Sequence, residues 1–334
     1  MKNSLKQFRT GLSEVVLDFL WSAWSHVGVM GSAVPSKSVI VDPEPLLLLT
    51  WGCGRQDPRV FDEVLDWLVR NGRWINVVRL TTLVEEDRAC PPSLAGAIAA
   101  FMLRYDKSPK WRTLAQRYKP KKTSVSEILF QRDGKALGSH RQCDEDFLKY
   151  GWLRLPVSLR KQSQPVAFWK PAGLILKSRA FFGVNIRADV FAWLVANGSC
   201  SASRLARELG YSQRRVQDTL MEMQIAGAFQ VHHDGNRKEY SVSAQKGWQL
   251  LFDSEPEATL AFHWRAFARG ISKIWKKTFS LKEEGLTPYI LESELTKAAD
   301  EAREDLVSAG VVLPPRMESW QLLAVLKKQL QLQK

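Results

Sequence analysis

Apolar positions recur at helical spacing over most of the chain. Within 13–27, Val16, Phe19, Leu20, Trp24 and Val27 share one face, the pattern of an amphipathic helix. Asp42-Pro43-Glu44-Pro45 opens a second helix through 46–51. Asp57 and Pro58 open a third as N-cap and first helical residue, with Phe61, Val64, Leu65, Leu68 and Val69 as its buried stripe,. Asn71-Gly72 predicts a left-handed stop,. Helices over 76–86 and 92–104 follow, the Ala-rich 94–100 suiting close packing. From 106 to 180 the periodicity fades. Prolines 109, 120, 156, 165 and 171 predict extended connectors, with 147–154 and 174–182 each open to a short helix or a strand,. Downstream, 257–276 is amphipathic, with Leu260, Trp264, Phe267, Ile271 and Ile274 opposite Arg265, Arg269, Lys273 and Lys277. An acidic helix over 287–309, a break at Pro314-Pro315 and a last helix over 318–330 complete the chain.

The clearest pattern lies between 185 and 243. Asn185 caps a helix over 186–197 whose inner face is Val190, Phe191, Leu194 and Val195, and Gly198 stops it,. Ser201 caps a short helix over 202–209, burying Leu205, Ala206 and Leu209. Gly210 supplies a left-handed turn, and Ser212 caps a helix over 213–225 that faces Val216, Leu220 and Met223 inward,. Two strand-like runs about Asp234-Gly235 predict a hairpin,.

The run SASRLARELGYSQRRVQDTL (201–220), followed by IAGA (225–228) and the hairpin, resembles the winged helix-turn-helix of bacterial transcriptional regulators,. The likeness spans about 60 of 334 residues and does not extend to a full-length family. It implies that 213–225 enters a major groove by its N-terminal end. At 100° per residue, Arg214, Gln217, Asp218 and Met221 point away from the core,. Arg214 then suits guanine edges and Gln217 adenine, while Asp218 accepts from cytosine or pins Arg214. Ser201, Ser203, Arg204, Ser212, Gln213 and Arg215 stand where phosphate contacts arise, and Asn236, Arg237 and Lys238 charge the wing,. The alternative is a winged helix used only for protein contacts, since six basic residues meet five acidic ones from 204 to 239.

A second copy is suggested upstream. EVLDWLVRNG (63–72) matches DVFAWLVANG (189–198) at six of ten positions, and Arg79-Leu80 echoes Arg204-Leu205. Either 1–105 holds a degenerate winged-helix-like unit, or two amphipathic helices share a common end by coincidence.

Composition narrows the classes. Apolar residues at 45% and charged residues at 25% make an ordinary globular mixture, and 334 residues suggest two or three domains,. Thirteen Trp between Trp21 and Trp320 imply sizeable cores throughout,. Asp18 and His26 interrupt the most apolar N-terminal stretch, so neither a signal core nor a membrane span is expected,. Cys53, Cys90, Cys143 and Cys200 lie far apart and read as thiols in a reducing, cytoplasmic setting,.

The net charge of +13 favours polyanions,. Its location matters more than its size. Residues 104–122 hold eight basic side chains against Asp106 alone, and 154–179 hold six with no acid, which together match the whole excess. These stretches are either solvated linkers or phosphate contacts, the candidates being Lys107, Lys110, Arg112, Arg117, Lys119, Lys121 and Lys122,.

No catalytic, cofactor or metal site is expected. The chain has no phosphate-binding glycine loop, metalloprotease helix or nucleophile elbow,. His140 and Cys143 form an isolated pair, His232-His233 fall on a wing strand, and Asp62, Glu63 and Asp66 read as a helix N-terminal charge complement,. The expected fold is mainly α with a small β-hairpin wing and several domains. These are an N-terminal helical domain (1–105), a basic connector (106–183), the winged helix-turn-helix (184–246) and a C-terminal helical domain (247–334). The expected function is a bacterial, cytoplasmic, sequence-specific regulator of transcription, a repressor or autoregulator, acting on double-stranded DNA as a homodimer. Two alternatives stand beside it: a protein-interaction partner such as an antitoxin or defence-complex component, and a plasmid or phage replication initiator.

Overall fold

The computed structural model describes residues 4–31, 39–106, 108–120, 126–132, 135–137, 142–235, 237–252, 262–282, 284–315 and 317–331. Among them the chain is mainly helical, with two small two-stranded sheets and one three-stranded sheet. No helix among the described residues is long and apolar enough to cross a membrane.

Capping chemistry sets the helix starts. Helix α1 (Leu5–His26) begins at a reciprocal box between Ser4 and Gln7,. Helix α2 (Pro43–Cys53) follows Asp42, whose carboxylate makes no cap because Arg79 holds it. Helix α3 (Pro58–Asn71) is capped by Asp57, which accepts the Arg59 and Val60 N–H groups. The left-handed stop expected at Gly72 is not found: its φ is −58°, and a 3-10 turn, Gly72–Trp74, continues the chain. A β-carbon there would lie 3.1 Å from the Met102 side chain, so this glycine provides clearance rather than a turn. Helices α4 (Val77–Asp87) and α5 (Pro92–Met102) flank Arg88, which is left-handed at φ 50°.

The stretch expected as extended connectors is largely built in. Pro109 occupies the first turn of α6 (Pro109–Arg117), where a missing N–H costs nothing,. Strand β1 (Glu127–Ile128), the hairpin of β2 (Gln131–Arg132) and β3 (Lys135–Ala136), helix α7 (Glu145–Leu148) and strand β4 (Trp152–Leu153) follow, β1 pairing parallel with β4. The chain from 154 to 167 forms neither helix nor strand and lies as a strap across α3. Arg154 donates to both Asp62 oxygens (2.7 and 3.1 Å), and the Lys161 and Ser163 N–H groups donate to Asp66 (2.9 and 3.0 Å). Arg160 lies 3.3 Å from Glu63. These three acids therefore anchor the strap and do not complement a helix N-terminus. Helix α8 (Leu174–Phe182) resolves the choice left open there in favour of helix.

Next come α9 (Ile186–Asn197), β5 (Cys200–Ser201), α10 (Ala202–Leu209), α11 (Gln213–Ile225), β6 (Gln230–Asp234), β7 (Arg237–Ser241) and α12 (Ala244–Phe252). Strand β7 lies between β5 and β6 in an antiparallel sheet. Helices α13 (Trp264–Ser280), α14 (Pro288–Ser308) and α15 (Ser319–Gln331) close the chain. The helix expected over 257–276 thus starts only at Trp264, and 257–261 lie outside the described residues.

Two hydrophobic cores organise these elements. One joins α1–α7 to α13–α15, so the N- and C-terminal helices share one body. Phe19 touches the rings of Phe262, Trp264 and Phe267, and Phe8 meets Trp320 edge-on at 5.3 Å. The second core spans α8 to α12, around Val190, Leu194, Leu205, Val216, Leu220 and Trp248.

Candidate nucleic-acid interface

The second core presents one polar face. Asn185 caps α9 by accepting the Arg187 and Ala188 N–H groups, and Gly198 ends it at φ 83°. The Ser201 hydroxyl caps α10 through the Arg204 N–H (3.4 Å) and lies 3.2 Å from the Ser203 hydroxyl. Gly210 is left-handed at φ 73°, and a β-carbon there would stand 2.5 Å from Leu83 of α4. That close approach and the turn both require glycine. Helix α11 buries Val216, Leu220 and Met223 and leaves the Ser212 hydroxyl free of any capping bond. Strands β6 and β7 pair Val231 with Tyr240 and Asp234 with Arg237, and Cys200 pairs with Tyr240 to tie in β5.

Six of the twelve residues expected on this face meet in one groove of about 710 Å³: Ser201, Ser203, Arg204, Gln213, Gln217 and Lys238. Arg207 and Glu239 complete its polar rim, and the Ser199 hydroxyl donates to Glu239 at 2.9 Å. The Arg204 guanidinium lies 5.8 Å from the Trp193 ring centroid, a contact that stiffens its stem. Ser212, Arg214, Arg215 and Asp218 are exposed on α11 beside the groove. Among the described residues Arg214 and Arg215 have no side-chain partner, and Asp218 does not pin Arg214. Met221, 55% exposed, continues the same face. Asn236 and the Arg237 side chain lie outside the described residues, while His232 and His233 are exposed on β6.

Six of the fourteen cations in the two basic stretches are ion-paired among the described residues. Arg154 and Arg179 are buried in ion pairs with Asp62, Glu44 and Asp189. The Lys110 ammonium donates to the Gly72 carbonyl at 2.8 Å, and burial lowers its pKa. Arg117 pairs with Glu85 at 2.5 Å. Of the seven expected phosphate contacts, Arg112 and Lys119 are exposed without an ion-pair partner among the described residues and line a groove of about 1090 Å³. Lys107, Lys121 and Lys122, like His140, lie outside the described residues.

Sequence reasoning missed the junction between the two cores. Arg79 of α4 donates to both Asp42 oxygens (2.6 Å each), to Glu44 (2.8 Å) and, through Nε, to the Leu209 carbonyl at the end of α10 (2.6 Å). Arg179 of α8 binds Glu44 with both Nη atoms (2.7 and 2.8 Å) and Asp189 through Nε (2.8 Å). The Tyr211 hydroxyl donates to Asp189 (2.5 Å) and accepts from the Asn76 amide (2.8 Å). Burial raises Glu44 despite its two arginines. Burial opposes ionisation of Asp189 as well, but Arg179, Arg79 and the Tyr211 hydroxyl outweigh it and hold this carboxyl below its ordinary range,. Arg265 of α13 adds a second clamp, donating to Glu86, Asp87 and the Arg207 carbonyl. Two cations at the C-terminal carbonyls of α10 complement its dipole. The available signal was a charged residue set within an apolar helical run, as Arg79 between Val78 and Leu80.

The suggested upstream copy has the same order of helix, helix, left-handed residue and helix in α3, α4, Arg88 and α5. Its third helix is sunk in the body core, with Leu94, Ala97, Ile98 and Phe101 buried and Tyr150 over Gly96. From this helix Ala100 reaches the groove of Arg112 and Lys119. Comparison with protein-family models, curated proteins and solved structures finds no match.

Proposed function

We propose that this protein is a sequence-specific DNA-binding regulator of transcription that reads double-stranded DNA with a winged helix-turn-helix over 185–243. The observation that carries the reading is the polar face of α11. Arg214, Arg215 and Gln217 stand without a side-chain partner among the described residues, next to a groove whose rim holds the α10 cap serines, Arg204 and Lys238. Unpaired guanidinium and carboxamide groups on the first turns of such a helix suit base edges, and hydroxyls and cations at the rim suit phosphates. Arg112 and Lys119, exposed and without an ion-pair partner among the described residues, add a further electrostatic contribution,.

A second reading, a protein-interaction module, draws on the near-neutral balance of the unit itself, where six basic residues meet five acidic ones from 204 to 239. Gel-shift titration of the full chain against DNA from upstream of its own gene separates the two. Specific retardation that disappears in Arg214→Ala/Gln217→Ala supports DNA reading. Absence of any retardation, together with a stoichiometric protein partner from the native host, supports the second.

A further inference from the structure

We infer that Tyr211 is the positioning residue that aims the reading helix α11, by locking the turn before it to α4 of the helical body. The inference rests on the DNA-reading assignment above. Tyr211 lies between Gly210, the left-handed residue, and Ser212, the N-cap of α11. Its hydroxyl is held from two directions. Asp189 of α9, within the same unit, accepts its proton at 2.5 Å, and Asn76 of α4, in the body, donates to it at 2.8 Å.

Both partners are themselves fixed. Asp189 accepts from Arg179, whose guanidinium also grips Glu44 and the Trp74 carbonyl. Asn76 caps α4 by accepting the Arg79 N–H (3.1 Å), and its own N–H donates to Glu44 (2.8 Å). The turn is therefore joined through one oxygen to a network in which charged side chains cross-link α2, α4, α8 and α9. Near it, Leu83 of α4 fills the space beside Gly210. Base-edge hydrogen bonds tolerate only a few tenths of an ångström in length and weaken steeply with angle. A first turn free to pivot at residue 211 carries Gln213 and Arg214 out of that range. Attraction to the phosphate backbone depends on charge and does not share this sensitivity. Loss of the hydroxyl should accordingly reduce discrimination between sequences and leave non-specific affinity alone.

The test uses the full chain. A duplex enriched by the wild type from a randomised library is compared with a scrambled duplex of the same composition. Tyr211→Phe keeps the ring and removes the oxygen. Asn76→Ser keeps a residue able to cap α4 but cannot reach Tyr211, and it lies in the body, away from the groove. Each variant should bind the enriched duplex more weakly by up to about tenfold, the limit reached when the whole net contribution of a buried hydrogen bond goes into holding the turn, with unchanged affinity for the scrambled one. The double variant should be no weaker than the weaker single variant. Variants that melt at lower temperature yet keep the wild-type ratio of enriched to scrambled affinity overturn the inference and leave the DNA reading intact. A wild type that enriches no sequence overturns both.

Discussion

The units α3–α4–α5 and α9–α10–α11 share an order of elements and a run of sequence, and they end in opposite places. In the first, Arg88 turns the chain into α5, an Ala-rich helix that the body core encloses. In the second, Gly210 turns it into α11, which keeps one apolar edge in its own core and leaves Gln213, Arg214, Gln217 and Asp218 in solvent. Side-chain size accounts for the difference. Alanines at 95, 97, 99 and 100 let neighbouring helices approach α5 from several sides, whereas long polar residues on α11 resist such burial,. What distinguishes α11, the proposed reading helix, from the core helix α5 is its outward face and not the turn that precedes it.

The contrast can be broken at several levels. The largest effect is expected at the junction that holds the second unit to the body. Arg179→Ala leaves Glu44 and Asp189 buried without their shared cation and should cost about 3–5 kcal/mol, seen as a lower denaturation midpoint. Next, Ile98→Ala on α5 should cost about 2–5 kcal/mol, while Met221→Ala on α11 should stay within about 0.5 kcal/mol. Equal costs at the two sites would erase the distinction. A smaller effect concerns acid. Glu44, raised by burial, takes its proton first as pH falls, and that step favours the folded chain,. Asp189 keeps its charge longer than an unfolded aspartate does, so its contribution is complete above the ordinary carboxylate range near about 4,. It is lost as pH falls further, through the depressed folded value. Thermal melting across this range should show an acid limb that Asp189→Asn flattens. The smallest effect is expected at the outlying cations, where Arg112→Ala/Lys119→Ala should lower the salt slope of DNA binding by about one for each phosphate left without its cation.

The local architecture of the second unit was legible because each signal there is short-range. Asn185, Ser201 and Gly210 act on their own helix ends, and Val216, Leu220 and Met223 mark their own face. The junction was not legible in the same way. Arg79 meets Leu209, and Asn76 meets Tyr211, across more than a hundred residues of chain, and no periodicity links them. Charge counted along the chain likewise says nothing of the acids on α3 that Arg154 and Arg160 meet in space. Gly72 misled because its backbone stays right-handed, at φ −58°, and carries the chain into a 3-10 turn.

The most direct test of the central claim, that α11 reads base sequence, is enrichment of randomised duplex DNA by the wild type and by Arg214→Ala/Gln217→Ala. The wild type should enrich one recurrent sequence, and the double variant should enrich none while retaining weak, salt-sensitive binding. Enrichment of the same sequence by both proteins would contradict the assignment of α11 as the reading element.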